Sequence, residues 1–221
     1  MLLERPVVCL VTDRRQMARA DEAFGVVLAR LAEVTRTASD AGVDMVQVRE
    51  RDLDTSRLVD LVSSMVDIAR GSMTRVVVND RLDVALACGA GGVHLRSDSI
   101  SPAAARSITP AGFLVGRSVH RVEDAVAYAA AVDYLVAGTV FPTSSKPGAT
   151  PLLGVQGLRE IVRAVRTPVL AIGGVTLEHV PQIAAAGAAG FAAISLFLTS
   201  VSMANVVALA RTQFDIARAT S

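Results

Sequence analysis

Eight short apolar runs, each followed by a helical pattern, constrain this chain more than any other feature. They are Val7–Val11, Asp44–Val48, Arg75–Val78, Val93–Leu95, Phe113–Val115, Tyr134–Ala137, Val169–Ile172 and Phe191–Ile194. Helical spacing follows over Asp21–Ser39, Thr55–Arg70, Leu82–Cys88, after Ser101-Pro102, and over Glu123–Ala131, Val155–Val165, Leu177–Ala186 and Ser202–Ala219. Strands alternating with helices predict a parallel sheet joined by crossover helices. Eight such units in 221 residues, with no shift of composition, predict an α/β fold. The expected form is a single (β/α)₈ TIM barrel, one domain over residues 1–221. A doubly wound sheet is the alternative, and the glycine pair Gly173-Gly174 after the seventh strand favours the barrel. The apolar fraction of 52% suits strands buried on both faces.

Charge and composition exclude several function classes. The net charge is +1 with no long basic run, so no nucleic-acid partner is expected. No apolar run approaches about 18 residues, so no membrane span is expected, and the charged start Met1–Pro6 is no signal peptide. Cys9 and Cys88 lie in apolar runs and read as core residues in a reducing, cytoplasmic setting. Apolar helix faces such as Val201–Leu209 leave room for a homodimer.

In a barrel, the loops after the strands build the site. Polar residues of this chain gather there: Gln47, Arg49, Asn79, Asp80, His94, Ser118, His120, Thr143, Ser145 and Lys146. Arg49, Arg51 and Lys146 could meet a diphosphate, and Asp80 could hold Mg²⁺, with Asp98 as a second carboxylate. For each alone, a solvated ion pair or cap is the bland alternative, favoured for Arg51 but not for Asp80; Asp98 leans towards an ordinary loop aspartate. The amides of Gly173 and Gly174 allow close approach of a phosphate. Ser195 would present its hydroxyl at the next helix start, where the dipole favours an anion. Two tight turns would explain the same residues. His120 lies beyond its strand, placed to carry a proton near neutral pH. His94 reads as partly buried, and His179 as a surface residue far from the rim. The irregular stretch Phe141–Gly154 carries Thr143-Ser144-Ser145-Lys146, which could wrap a phosphate or be a polar turn.

These residues together resemble one family. Gln47–Arg51, Asn79-Asp80-Arg81, Gly92–Leu95, Gly116–His120, Phe141–Lys146 and Ala171–Gly174 are similar, in order and over nearly the whole chain, to the thiamin phosphate synthase/TenI family. The synthase branch implies a transferase of thiamin biosynthesis. It joins hydroxymethylpyrimidine diphosphate to thiazole phosphate and releases diphosphate, with Mg²⁺. The resemblance places Gln47, Arg49, Asn79 and Ser118 around the pyrimidine diphosphate, Lys146 on the diphosphate and Asp80 on Mg²⁺. It places Thr143, Ser144, Ser145, Gly174, Ile194 and Ser195 at the thiazole phosphate. Two positions depart from it. Arg51 stands where the synthase pattern has lysine, and Arg96 stands where it has glycine. The run Arg96-Ser97-Asp98-Ser99 thereby puts Asp98 one residue before the expected second metal aspartate. Arg49-Glu50-Arg51, Ser97–Pro102 and Gly116–His120 instead look like the tautomerase branch, in which His120 would move the proton without a metal. The synthase leads, because Gln47, Asp80 and Lys146 serve a diphosphate and a metal. The tautomerase is the alternative, and a non-catalytic barrel that binds phosphorylated thiamin precursors is the third reading.

Overall fold

The computed structural model describes residues 6–18, 21–143 and 151–219. Eight strands, β1 (Val7–Val11), β2 (Met45–Val48), β3 (Arg75–Asn79), β4 (Gly92–Leu95), β5 (Leu114–Val119), β6 (Tyr134–Gly138), β7 (Val169–Ile172) and β8 (Gly190–Ala193), close into one barrel in chain order. Every pairing is parallel, and β1 closes the ring on β8 through Val7 opposite Gly190 and Cys9 opposite Ala192. The closed ring excludes the doubly wound alternative.

The helices are α1 (Phe24–Asp40), α2 (Thr55–Ala69), α3 (Leu82–Ala87), α4 (Pro102–Ile108), α5 (Val122–Tyr128), α6 (Gly154–Ala164), α7 (Val180–Ala185), α8 (Ser195–Leu198) and α9 (Met203–Ala219). Their starts follow local chemistry. Asp54 caps α2 by accepting from Arg57 N–H at 2.9 Å, and Ser101 caps α4 just before Pro102. The stripe Leu58, Leu61, Val62, Met65 of α2 is buried on the sheet.

The alternation of the strands builds two cores. Val7, Cys9, Met45, Val77, Leu114, Tyr134 and Leu170 fill the barrel, while Val8, Leu10, Val46, Val78, Val93 and Leu95 pack beneath the helices. Cys9 and Cys88 are free thiols, and burial pushes the Cys9 thiol up to about 12. No helix of the described residues is long and apolar enough to cross a membrane.

Three elements differ from the reading of the sequence. β5 runs on to Val119, where a strand ending at Val115 was expected. Its alternation turns Ser118 inward and buries Arg117 outside the barrel, the Arg117 guanidinium 3.9 Å above the Tyr128 ring. The helix expected over Leu177–Ala186 splits into a 3₁₀ turn, Leu177–His179, and α7. Between β8 and α9 a helix does open at Ser195, but it is the separate four-residue α8.

Candidate active site

The interior of the barrel ends in a polar layer at the strand C-termini. Gln47 and Asn79, neighbours on β2 and β3, share a hydrogen bond from Nε2 to Oδ1 of 3.2 Å. On β4 and β5, His94 Nε2 lies 2.8 Å from Ser118 Oγ, and its ring stacks on Tyr134 at 5.7 Å. Gly116 makes room for that stack, because a Cβ there would lie 2.1 Å from Tyr134 Cζ.

His94 is fully buried, more so than the sequence suggested. Burial, with the Arg117 charge beside it, lowers its pKa from 6.5 to about 3, so it is neutral and orients Ser118. The unfolded chain therefore binds one more proton than the folded chain between about pH 3 and 6.5. Stability from this group is full above pH 6.5 and falls as pH drops, by about 1.4 kcal/mol per unit. Urea unfolding at pH 7 and pH 5 should differ by about 2 kcal/mol on this account, and His94→Gln should lose that part of the difference. Equal pH slopes in wild type and variant would show that His94 is not the group responsible.

Across the cavity, the loops after β6 and β7 interlock. Val140 N–H and Phe141 N–H donate to Ile172 O and Gly173 O at 2.9 and 3.0 Å, which extends the ladder beyond both strands. Gly173 and Gly174 have φ of 99° and 61°. A Cβ on Gly174 would fall 2.2 Å from Pro142 O. His179 is not remote from the rim, as the sequence suggested. The 3₁₀ turn brings its ring flat onto Phe141, 3.8 Å between centroids, and its Nδ1 to 2.9 Å from Gly174 O. His179 thus ties the glycine loop to the β6 loop. His120, just past β5, hydrogen-bonds through Nδ1 to the Gly138 carbonyl. With the proton on Nδ1, its Nε2 is an acceptor. Ser195 opens a helix of only four residues, so the dipole expected there is small and any anion must be held by individual donors.

One open cavity of ≈ 930 Å³, mouth included, joins these two halves. Of the residues expected from the sequence, Gln47, Arg49, Arg51, Asn79, Ser118, His120, Thr143, Gly173, Gly174, Ile194 and Ser195 line it. Ser144, Ser145 and Lys146 lie outside the described residues. Arg49 and Arg51 make no ion pair with a carboxylate among the described residues. Burial, followed by the Arg49 and Arg96 charges, lowers the Arg51 pKa, a sign of converging cations.

The two expected metal ligands are arranged differently. Asp80, at φ 67°, lines a smaller neighbouring pocket with Arg51 and Arg96, and Asp98 lines neither. Asp80 Oδ1 accepts the Ser99 hydroxyl, and its Oδ2 lies 3.6 Å from Arg96 Nη1. Asp98 is turned to Arg96 Nη2 at 2.6 Å. Mg²⁺ requires near-octahedral oxygen ligands at about 2.1 Å. Here a guanidinium contacts both carboxylates, so the described residues do not fit a resident Mg²⁺. Arg96, which the sequence marks as standing in place of a glycine and crowding the site, is a wall of the cavity; Thr139 and Val175, which also line it, are residues that sequence reasoning missed.

The site stands on a chain with many similar proteins. A family model described as thiamine monophosphate synthase matches residues 8–197. The thiamine-phosphate synthase of Methanoregula boonei is 42% identical over 181 residues, covering 81% of this chain and 82% of that protein. That of Methanoculleus marisnigri is 40% identical over 184 residues, covering 83% and 86%. The structure of thiamine phosphate pyrophosphorylase from Pyrococcus furiosus superposes with a TM-score of 0.80 at 28% identity, covering 96% of both chains. Matched from its first strand to the helix after its last, and over most of the length of these relatives, the chain belongs to the thiamine monophosphate synthase family.

Proposed function

We propose that this protein is a thiamine-phosphate synthase, coupling hydroxymethylpyrimidine diphosphate to thiazole phosphate with release of diphosphate. One observation carries the reading. The amide and guanidinium side chains of the β2–β5 rim and the glycine loop after β7 face a single cavity, so two anionic substrates can meet in it. Gln47, Asn79 and Ser118 hold the pyrimidine, Arg49 and Arg51 face its diphosphate, and the loops at Gly173-Gly174 and Ile194-Ser195, with Thr143, hold the thiazole phosphate. Lys146, Ser144 and Ser145 belong to the same reading, as cation and hydroxyls of the loop after β6.

The chemistry asks little of acids and bases. The bond between the pyrimidine methylene carbon and the diphosphate oxygen breaks, and its electron pair leaves with the diphosphate. Guanidinium groups stabilise that developing charge. The thiazole nitrogen then donates its lone pair to the methylene carbon and forms the new bond. Neutral His94 keeps Ser118 oriented and adds no competing charge near the cationic carbon.

One contact favours the tautomerase as second reading: His120, held by the Gly138 carbonyl, keeps Nε2 as a proton acceptor at the cavity wall. A diphosphate-release assay with both precursors separates the two. Release of diphosphate with formation of thiamine phosphate is the expected result. Binding of thiazole phosphate without any release would overturn the synthase. Loss of thiazole isomerisation in His120→Ala would then establish the tautomerase. The reading also keeps a cytoplasmic location, supported by the free thiols, and a homodimer, supported by the exposed Val201 and Leu209.

A further inference from the structure

We propose that Arg96 is the resident cation of the diphosphate subsite, so that this chain binds diphosphate without a divalent metal. The inference rests on the reading that a diphosphate lodges at the β2–β4 rim. It starts from a turn built to hold one side chain. Arg96 N–H donates to Ser99 Oγ at 2.7 Å, Ser99 N–H returns to Arg96 O at 3.3 Å, and the Ser99 hydroxyl is tied to Asp80. From outside the barrel, buried Arg117 donates to Ser97 O at 3.1 Å and to Ile100 O at 3.5 Å. Both flanks of the turn are thereby fastened.

Within this frame the Arg96 guanidinium spans Asp80 and Asp98, at 3.6 and 2.6 Å. The two carboxylates that the metal reading needs thus both face this guanidinium. A guanidinium has five N–H donors, and two carboxylate oxygens engage only part of them. Arg96 also lines the main cavity beside Arg49 and Arg51, so its remaining donors can take phosphate oxygens. Arg96 carries one positive charge where Mg²⁺ would carry two. Arg49 and Arg51, without a carboxylate ion pair among the described residues, make up the difference.

The test is calorimetric titration of inorganic diphosphate into the whole protein, in chelator and then in excess Mg²⁺. Wild type should bind in chelator, with Mg²⁺ changing Kd by less than about threefold. Arg96→Gln should bind in chelator about tenfold more weakly, the scale of one lost charge-assisted contact. Mg²⁺ should recover part of that loss, since Asp80 and Asp98 are then released from the guanidinium. Arg96→Lys, which keeps the charge without the fork, should fall between the two, and thermal melts check that both variants fold. Wild-type binding only with Mg²⁺, no diphosphate binding at all, or Arg96→Gln binding as wild type in chelator overturns the proposal. Coupling assays on the same samples separate the two layers. Mg²⁺-dependent coupling with no binding in chelator sinks the role of Arg96 and keeps the synthase. Binding in chelator without coupling keeps Arg96 as the cation and sinks the synthase.

Discussion

Gly174→Ala is expected to unfold at lower denaturant and to lose most of its affinity for thiazole phosphate. The residue combines two demands that alanine cannot meet. Its φ of 61° costs a non-glycine residue about 1–2 kcal/mol. The new Cβ would also sit 2.2 Å from Pro142 O and 2.8 Å from Phe141 O, backbone atoms that cannot swing aside. Relieving that clash by moving the β6 loop adds about 1–3 kcal/mol. The movement would break the pairing of Phe141 N–H with Gly173 O and the stack of Phe141 on His179. A loop displaced by an ångström costs about a hundredfold in rate or more. Gly112→Ala is the control. Its φ of 80° is also left-handed, but a Cβ there meets nothing within 4 Å. It should show the backbone cost alone, with an unchanged KM. If Gly174→Ala behaves like Gly112→Ala in both assays, the interlocked loops do not hold the phosphate.

The same loop shows why some of the site could be read in the sequence and some could not. The eight strands were legible because both faces of a parallel barrel are buried, so each one is a short apolar run between turn residues. β5 was read short because Gly116-Arg117-Ser118 looks like the start of a loop. Arg117 is tolerated in a strand only because a tyrosine face and two carbonyls receive it from outside. The alternation Val115, Arg117, Val119 was the available sign. His179 was misplaced for a related reason: helical spacing puts it on the surface, whereas the 3₁₀ turn rotates it back to Gly174. A Thr176-to-His179 interval, the spacing of a helix cap, pointed that way. The rim residues themselves were legible because strand ends are where a barrel exposes side chains. Where a long guanidinium comes to rest was not, since the position of Arg96 depends on a turn fastened by Ser99 and Arg117, far apart in the chain.

Arg49→Ala should lower kcat/KM for coupling by about 10²–10³, or roughly 3–4 kcal/mol of transition-state stabilisation. Arg49 leaves the barrel at the end of β2, its backbone N–H held by Thr12 Oγ1 at 2.9 Å. Its guanidinium faces the cavity without a carboxylate partner among the described residues, so its charge is available to a ligand. Burial first, then the neighbouring Arg49 and Arg96 charges, lower the Arg51 pKa against the opposing pull of Asp98 and Asp80, so these cations stand close enough to repel one another. An incoming diphosphate relieves that repulsion. The relief is greatest when the leaving oxygen takes up the full electron pair, so the loss should fall on kcat as well as on KM. Arg49→Lys keeps the charge but offers a point instead of a planar fork, and should recover only part of the activity. Arg57→Ala, on the outer face of α2 where Arg57 pairs with Asp54 at 3.3 Å, should leave coupling unchanged. Steady-state kinetics with both precursors reads all three variants. A wild-type kcat/KM in Arg49→Ala would remove the pyrimidine diphosphate from the β2 rim, and with it the reason for three arginines to converge there.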